Sequence, residues 1–317
     1  MSDLPKSVHI LEVGPRDGLQ IEPNFVPTAD KIRMIEALAD AGLPEIEAGS
    51  FVNPRAVPQM ADGDEVFAGI RKKEGVAYRA LWLNARGLER AIANGHVDVN
   101  GKLTMTCSET FIRRNTNRSI DDTLAEMPEW IARYKAAGVE VRTLGLMAAF
   151  GCNFEGYIPE AKVVELIARA EAVMADHDCK LKTLNLADTM GWASPMQVKR
   201  LVGLIRDRWP ELRIKLHLHD TRGQAVANAV AAMEMGVTHF DASVGGLGGC
   251  PFAGHKGAAG NVSTEDLVFS CHEMGIETGI DLDALVEVAR MAEGFVGHEL
   301  PGKVMKGGTL NRYKTQH

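Results

Sequence analysis

Three short stretches of this chain hold side chains that could act together in chemistry. Lys215-Leu216-His217-Leu218-His219-Asp220-Thr221-Arg222-Gly223 carries two histidines two residues apart. On a strand, such residues point to one face, roughly 6–7 Å apart, so both imidazoles can reach one cation. Two hydrogen-bonded core histidines are the alternative, but a His-x-His at the C-terminal end of a barrel strand favours metal. Glu12-Val-Gly-Pro-Arg-Asp-Gly-Leu-Gln20 sets Arg16 beside Asp17 just past an apolar run and before a turn glycine. An ordinary turn with a solvated ion pair and the edge of an active site both fit that pattern. Asp17 and an amide oxygen could complete a mixed imidazole, carboxylate and carbonyl set. Such a set suits octahedral Mg²⁺ or Mn²⁺ with open positions, Zn²⁺ being the alternative. The third stretch, Ser243-Val-Gly-Gly-Leu-Gly-Gly-Cys-Pro-Phe252, is glycine-dense and continues from Gly254 to Asn261. Glycine density makes a loop that moves or approaches a ligand closely. Cys250 in its middle reads as an exposed, reactive thiol, with a passive loop cysteine as the alternative. Asn261, just ahead of Ser263-Thr264-Glu265-Asp266, could be a metal ligand or a turn residue, and the local sequence favours a helix cap.

Elements must hold these residues, and the chain supplies them in a regular order. Strands are expected at Val8–Val13, Glu45–Ala48, Tyr78–Leu83, Leu103–Cys107, Val141–Met147, Lys182–Ala187, Arg213–His219 and Phe240–Val244. Their faces read as apolar on both sides, as in a parallel barrel wall. Helical patterns follow, among them Ala29–Asp40, Asp121–Ala137, Glu160–Asp176, Pro195–Arg208 and Arg222–Met235. Thr28 and Ser194 sit where N-caps belong, and Gly42, Gly138 and Gly236 lie just past helix ends. Eight β-then-α units predict an α/β protein of the (β/α)₈ TIM-barrel class. An open doubly wound sheet is disfavoured because no G-x-G-x-x-G turn follows the first strand. The expectation is one domain over residues 1–317, with a helical extension from about 281 and a basic tail, Lys303–Lys314.

Composition narrows the partners. A net charge of −7 over 317 residues argues against nucleic acid and anionic membranes. The apolar runs are too short to span a bilayer, and no secretory signal is expected. Five scattered cysteines (Cys107, Cys152, Cys179, Cys250, Cys271) fit a reducing cytoplasm rather than a disulfide framework. Self-association is left open. An anionic ligand would need a local basic patch, and the loop expected at Ser108–Arg118 offers Arg113, Arg114 and Asn115. Charge-assisted bonds to phosphates and a plain solvated loop fit this patch equally.

At this point the chain resembles a known family. Glu12–Gln20, Glu47-Ala-Gly-Ser-Phe-Val-Asn-Pro54, Val57-Pro-Gln-Met-Ala-Asp62, His217–Gly223 and Gly246–Asp266 are similar to blocks of the 3-hydroxy-3-methylglutaryl-CoA lyases. The likeness runs over roughly Val8 to Gly302, in the family's order. Arg-Asp-Gly-x-Gln and His-x-His are shared with isopropylmalate- and homocitrate-type synthases, whereas the Gly-Gly-Leu-Gly-Gly-Cys-Pro loop belongs to the lyases. The resemblance implies a divalent metal on Asp17, His217, His219 and Asn261, with Glu47 and Gln20 in support. It implies that Arg16 polarises an acyl-CoA thioester carbonyl, that Asp188 is an acid or base, and that Cys250 is a catalytic loop thiol. His217 or Asp188 would take the substrate hydroxyl proton. The implied reaction is retro-Claisen cleavage of a 3-hydroxy-3-methylglutaryl-CoA-like thioester to acetyl-CoA and a keto acid. A Claisen-condensing transferase and a non-catalytic metal- or CoA-binding barrel are the rival readings. The chain departs from the pattern at Gly254-His255-Lys256, which reads as an insertion, and at Pro23, where the family has lysine. It departs again at Leu144–Phe150, where no tyrosine stands. Those last residues predict an enlarged pocket that accepts a longer alkyl branch.

Overall fold

Aliphatic residues at every second position build most of the strands. The computed structural model describes residues 4–249 and 260–314. Among these residues run ten strands: β1 (His9–Glu12), β2 (Glu45–Ser50), β3 (Ala77–Leu81), β4 (Gly101–Thr106), β5 (Val141–Met147), β6 (Gly151–Cys152), β7 (Gly156–Tyr157), β8 (Thr183–Ala187), β9 (Arg213–His217) and β10 (His239–Ala242). Helices alternate with them, and β6 and β7 pair only with each other, as a small antiparallel ribbon.

Contacts divide the chain into two compact units. In residues 99–240, β4, β5, β8 and β9 pair in that order, all parallel. Leu144, Leu184, Leu186, Ile214 and Leu216 are buried, whereas Asn185, Lys215 and His217 alternate with them. The expectation of strands apolar on both faces is therefore corrected. One face packs under helices, and the other carries polar side chains. The second unit, residues 6–98 with 241–249 and 260–314, pairs β1, β2 and β3 in parallel. The backbone N–H of Val13 donates to the carbonyl of Ala242 at 2.8 Å, tying the end of β1 to the end of β10.

Helix boundaries follow local chemistry. Ser194 caps Pro195–Arg208 with a full capping box to Gln197. Gly42, Gly138 and Gly236 end their helices at φ of 100°, 69° and 77°. Thr28 is not a cap: Pro27 holds that position, and the Thr28 hydroxyl donates to Asp62. The helix expected from Arg222 begins at Ala225, because Arg222 instead donates to the carbonyls of Met190 and Gly191. The basic loop after β4 is a helix, Glu109–Thr116, whose N–H at Phe111 is capped by the Ser108 hydroxyl. Its last turn ends at Asn117 in the left-handed region. Asp281 caps Leu282–Val296, and the basic tail contains two single-turn helices, Val304–Gly307 and Asn311–Lys314. Among the described residues, no helix is long and apolar enough to cross a membrane.

Candidate active site

Directly after β1 the backbone widens into one π-helical turn, Gly14–Gly18. The carbonyl of Val13 receives the N–H groups of Arg16 (3.1 Å), Asp17 (2.7 Å) and Gly18 (3.2 Å). Such single π turns are rare and recur at functional sites. Two glycines make this one possible. A Cβ on Gly14 would lie 2.6 Å from Glu12 Oε1, and one on Gly18 would lie 2.8 Å from the Leu247 side chain.

The turn sets Arg16 between two carboxylates. Its Nε donates to Glu47 on β2 and its Nη1 to Asp17, each at 2.5 Å. The side chain is only 12% exposed, so the solvated ion pair offered by the sequence is excluded. Burial works against the guanidinium charge, but Glu47 and Asp17 outweigh it and hold the pKa above the usual arginine value. The second Asp17 oxygen accepts from Asn261 Nδ2 at 2.9 Å, and the same nitrogen donates to the Leu247 carbonyl. Asn261 is thus no helix cap. Ser263 caps Thr264–Glu273, which leaves the asparagine amide turned toward Asp17. Arg16, Asp17, Glu47 and Asn261 form one connected cluster. Gln20 follows in the 3₁₀ turn Leu19–Ile21 and is half-buried.

Beneath this cluster lies a buried carboxyl that sequence reasoning missed. Glu12, the last residue of β1, accepts from the N–H of Gly14 (2.7 Å), the N–H of Val244 (2.9 Å) and the hydroxyl of Thr264 (2.6 Å). It joins the π turn to the start of the glycine-rich loop and to the helix that follows Asn261. Burial pushes its pKa up to about 7 against those three bonds. Glu265 is pushed up to about 7 in the same way, with one oxygen accepting from Gly245. The available signal was a glutamate closing an otherwise apolar strand, where only a network of donors makes burial tolerable.

In the unit of residues 99–240, the histidine pair converges as its spacing implied. His217 Nε2 and His219 Nε2 are 3.2 Å apart. Ring nitrogens this close either share a proton or face one common cation. Strand β9 stops at His217, two residues earlier than expected, and His219 follows it as a buried residue. Next to them, the backbone N–H of Asp188 donates to the His217 carbonyl at 2.8 Å. The Asp188 carboxyl is buried, and burial pushes its pKa up to about 6. One oxygen accepts from the N–H of Trp192 at 2.7 Å, and the other has no partner among the described residues.

Other expectations meet different fates. Cys250 lies outside the described residues, as do Gly254, His255 and Lys256. Arg113, Arg114 and Asn115 are exposed on their helix, with Arg113 paired to Glu109 and Arg114 lying over the Phe154 ring. The enlarged pocket at Leu144–Phe150 meets an obstacle. All of these residues except Met147 are buried, and a Cβ on Gly145 would fall 2.7 Å from the Lys102 side chain. The room left by that glycine is already filled.

Alternating strands and helices, with titratable side chains gathered just beyond strand C-termini, define an α/β protein of the (β/α)₈ class built as an enzyme. Comparison with known proteins makes this specific. The HMGL-like family pattern matches residues 7–292. The mitochondrial hydroxymethylglutaryl-CoA lyase of Bos taurus is 44% identical over 283 residues, 89% of this chain and 84% of the relative. The crystal structure of the Bacillus subtilis HMG-CoA lyase matches with a TM-score of 0.88 and 39% identity, over 96% of this chain and 98% of that one. An HMG-CoA lyase from Acinetobacter baumannii, solved with coenzyme A and 3-methylmalate, matches with a TM-score of 0.86 and 40% identity, over 96% of each chain. The chain belongs to the HMGL-like family.

Proposed function

We propose that this chain is a divalent-metal-dependent carbon–carbon lyase that cleaves 3-hydroxy-3-methylglutaryl-CoA, or a close 3-hydroxy-3-alkyl-acyl-CoA. The products are acetyl-CoA and acetoacetate, or the matching keto acid. The observation that carries this reading is the buried Arg16, held between Glu47 and Asp17 by one π turn at a strand end. The lyases among its relatives, one of them solved with coenzyme A, supply the substrate class.

Asp17, His217, His219 and Asn261 offer carboxylate, imidazole and amide donors, a set that fits Mg²⁺ or Mn²⁺, with Zn²⁺ as the alternative. The 3.2 Å approach of the two imidazole nitrogens supports a shared cation over two independent core histidines. When bound, the ion would make the tertiary hydroxyl of the substrate easier to deprotonate. With His217 engaged as a ligand, Asp188 is the base. Burial has raised its carboxyl toward neutrality, which suits proton transfer near pH 7. Loss of the hydroxyl proton lets the oxygen electrons form a ketone while the carbon–carbon bond breaks. The bonding pair passes into an acyl-CoA enolate. Arg16 donates hydrogen bonds to the enolate oxygen, whose charge appears only as the bond breaks, so its effect falls on the barrier. Cys250 would return a proton to the enolate carbon.

Arg113, Arg114 and Asn115 are proposed to meet the phosphates of CoA, Arg113 exchanging its exposed pairing with Glu109 for them. Gln20 supports the Arg16 turn. The chain is taken as one barrel domain of the cytoplasm, in keeping with four described cysteines that are all free and buried. The test is a product-resolved assay over a panel of 3-hydroxyacyl-CoA thioesters with Mg²⁺ or Mn²⁺. Acetyl-CoA and acetoacetate in equal amounts are expected from 3-hydroxy-3-methylglutaryl-CoA. Release of free CoA thiol from acetyl-CoA plus a 2-oxo acid would instead make the chain a condensing transferase.

A further inference from the structure

We infer that Trp192 and Asn153 are a positioning pair for Asp188, so that the β6–β7 ribbon sets where the proton-accepting oxygen points. This rests on the role given to Asp188 above and extends it to two residues outside the metal and thioester machinery.

The argument starts from a tight turn. Asp188 directly follows β8, the N–H of Gly191 returns to its carbonyl at 3.2 Å, and Gly191 adopts a φ of +66°. A Cβ on Gly191 would meet Thr221 at 2.7 Å, so the close approach also requires glycine. The turn delivers the N–H of Trp192 to one oxygen of Asp188 at 2.7 Å. That bond and a second from the backbone of Ala193 fix the rotation of the carboxyl, the other oxygen having no partner among the described residues. Whatever fixes Trp192, and with it the adjoining Ala193, therefore helps fix the oxygen available for a proton.

Trp192 is fixed by the ribbon. Its indole Nε1 donates to Asn153 Oδ1 at 2.7 Å. Its ring lies on Gly151, where a Cβ would stand 2.6 Å from the indole. Two further bonds hold the ribbon segment to the same turn. The N–H of Asn153 donates to the Met190 sulfur at 3.2 Å, and the N–H of Ala148 donates to the Thr189 hydroxyl at 2.8 Å. Ala148 sits at a φ of +53°, a left-handed conformation that a non-glycine residue keeps only when its surroundings enforce it. Thr189, Met190 and Trp192 thus each grip the segment from Ala148 to Asn153. A hydrogen bond needs an indole N–H on one side and an acceptor on the other, so each partner can be removed with little change of shape.

The experiment uses the full-length, metal-loaded protein with 3-hydroxy-3-methylglutaryl-CoA. Trp192→Phe keeps an aromatic ring and loses the donor. Asn153→Leu keeps the volume and loses the acceptor, and Asn153→Asp restores an acceptor. Trp192→Phe and Asn153→Leu should each lower kcat about tenfold with KM and the thermal midpoint unchanged. The double variant should be no slower than either single one. Asn153→Asp should stay within about threefold of the parent. Unchanged kcat in Trp192→Phe, multiplying losses in the double variant, or a lowered melting point that tracks the loss of rate would each overturn the pairing. Asp188→Asn is measured alongside. If it turns over at the parent rate, the base assignment has failed. If it is slow while the two donor and acceptor variants are normal, only the positioning pair has failed.

Discussion

Arg16 is where charge, burial and geometry are most tightly specified. Two carboxylates hold its guanidinium, so its position does not wait for substrate. Arg16→Gln should lower kcat by about 10³ while KM changes little, because the enolate oxygen it is proposed to serve gains its charge only as the carbon–carbon bond breaks. Steady-state kinetics checks this, and a rise in KM at constant kcat would make Arg16 a ground-state binder. Glu47→Gln removes one arm of that clamp and keeps its shape, so its kcat should fall less, by about tenfold. Thiol chemistry gives a second residue-scale expectation. Burial pushes Cys107 and Cys271 up to about 12, which leaves them almost wholly as unreactive thiols near neutral pH. Cys250 should therefore react first with a small alkylating agent, and substrate should protect it. Peptide mapping that finds Cys107 or Cys271 labelled first, with activity already lost, would move the thiol role elsewhere.

At the scale of elements, the end of β1 matters most, and it was only half legible. Glycine at positions 14 and 18 and the adjacent Arg16 and Asp17 marked a turn of interest. No local pattern announces a π turn, because its widening depends on Leu247 and Glu12 closing around it. The role of Glu12 was hidden for the same reason: its three donors come from positions as distant as Thr264. The folded chain keeps this carboxyl protonated up to about pH 7, well above its unfolded value near 4.5. The folded state therefore binds the extra proton, and that stabilisation is complete below about pH 4.5. It is lost as pH rises through 7, by on the order of 3 kcal/mol. Glu12→Gln keeps an acceptor for Gly14 and Val244 and removes the titration. Denaturant midpoints from pH 5 to 8 should fall more steeply in the parent than in this variant. Parallel curves would show that Glu12 does not carry the proton. The helix Glu109–Thr116 depends likewise on its ends: Arg113, Arg114 and Asn115 read as a loop, but Ser108 caps the start and Asn117 closes the last turn.

Across the whole molecule, the strand–helix rhythm was legible because hydrophobic period survives without tertiary context. Both ends of Glu160–Asp176 and Pro195–Arg208 matched, whereas β9, expected to reach His219, stops at His217, and β2, expected to stop at Ala48, runs on to Ser50. The candidate site was legible where chemistry sits in a local motif, as in His217 and His219, and illegible where it rests on contacts between distant segments. The place left by Gly145 is filled by Lys102 from a neighbouring strand, a contact that the local pattern of Leu144–Phe150 does not show. Metal dependence is the feature on which the proposed carbon–carbon cleavage turns. Its most direct test is to strip the protein exhaustively of metal and follow acetyl-CoA and acetoacetate formation from 3-hydroxy-3-methylglutaryl-CoA. Turnover should vanish in the stripped protein and return with Mg²⁺ or Mn²⁺, and His219→Ala should retain less metal than the parent. Full activity in metal-free protein, or no cleavage with either ion restored, would contradict the account.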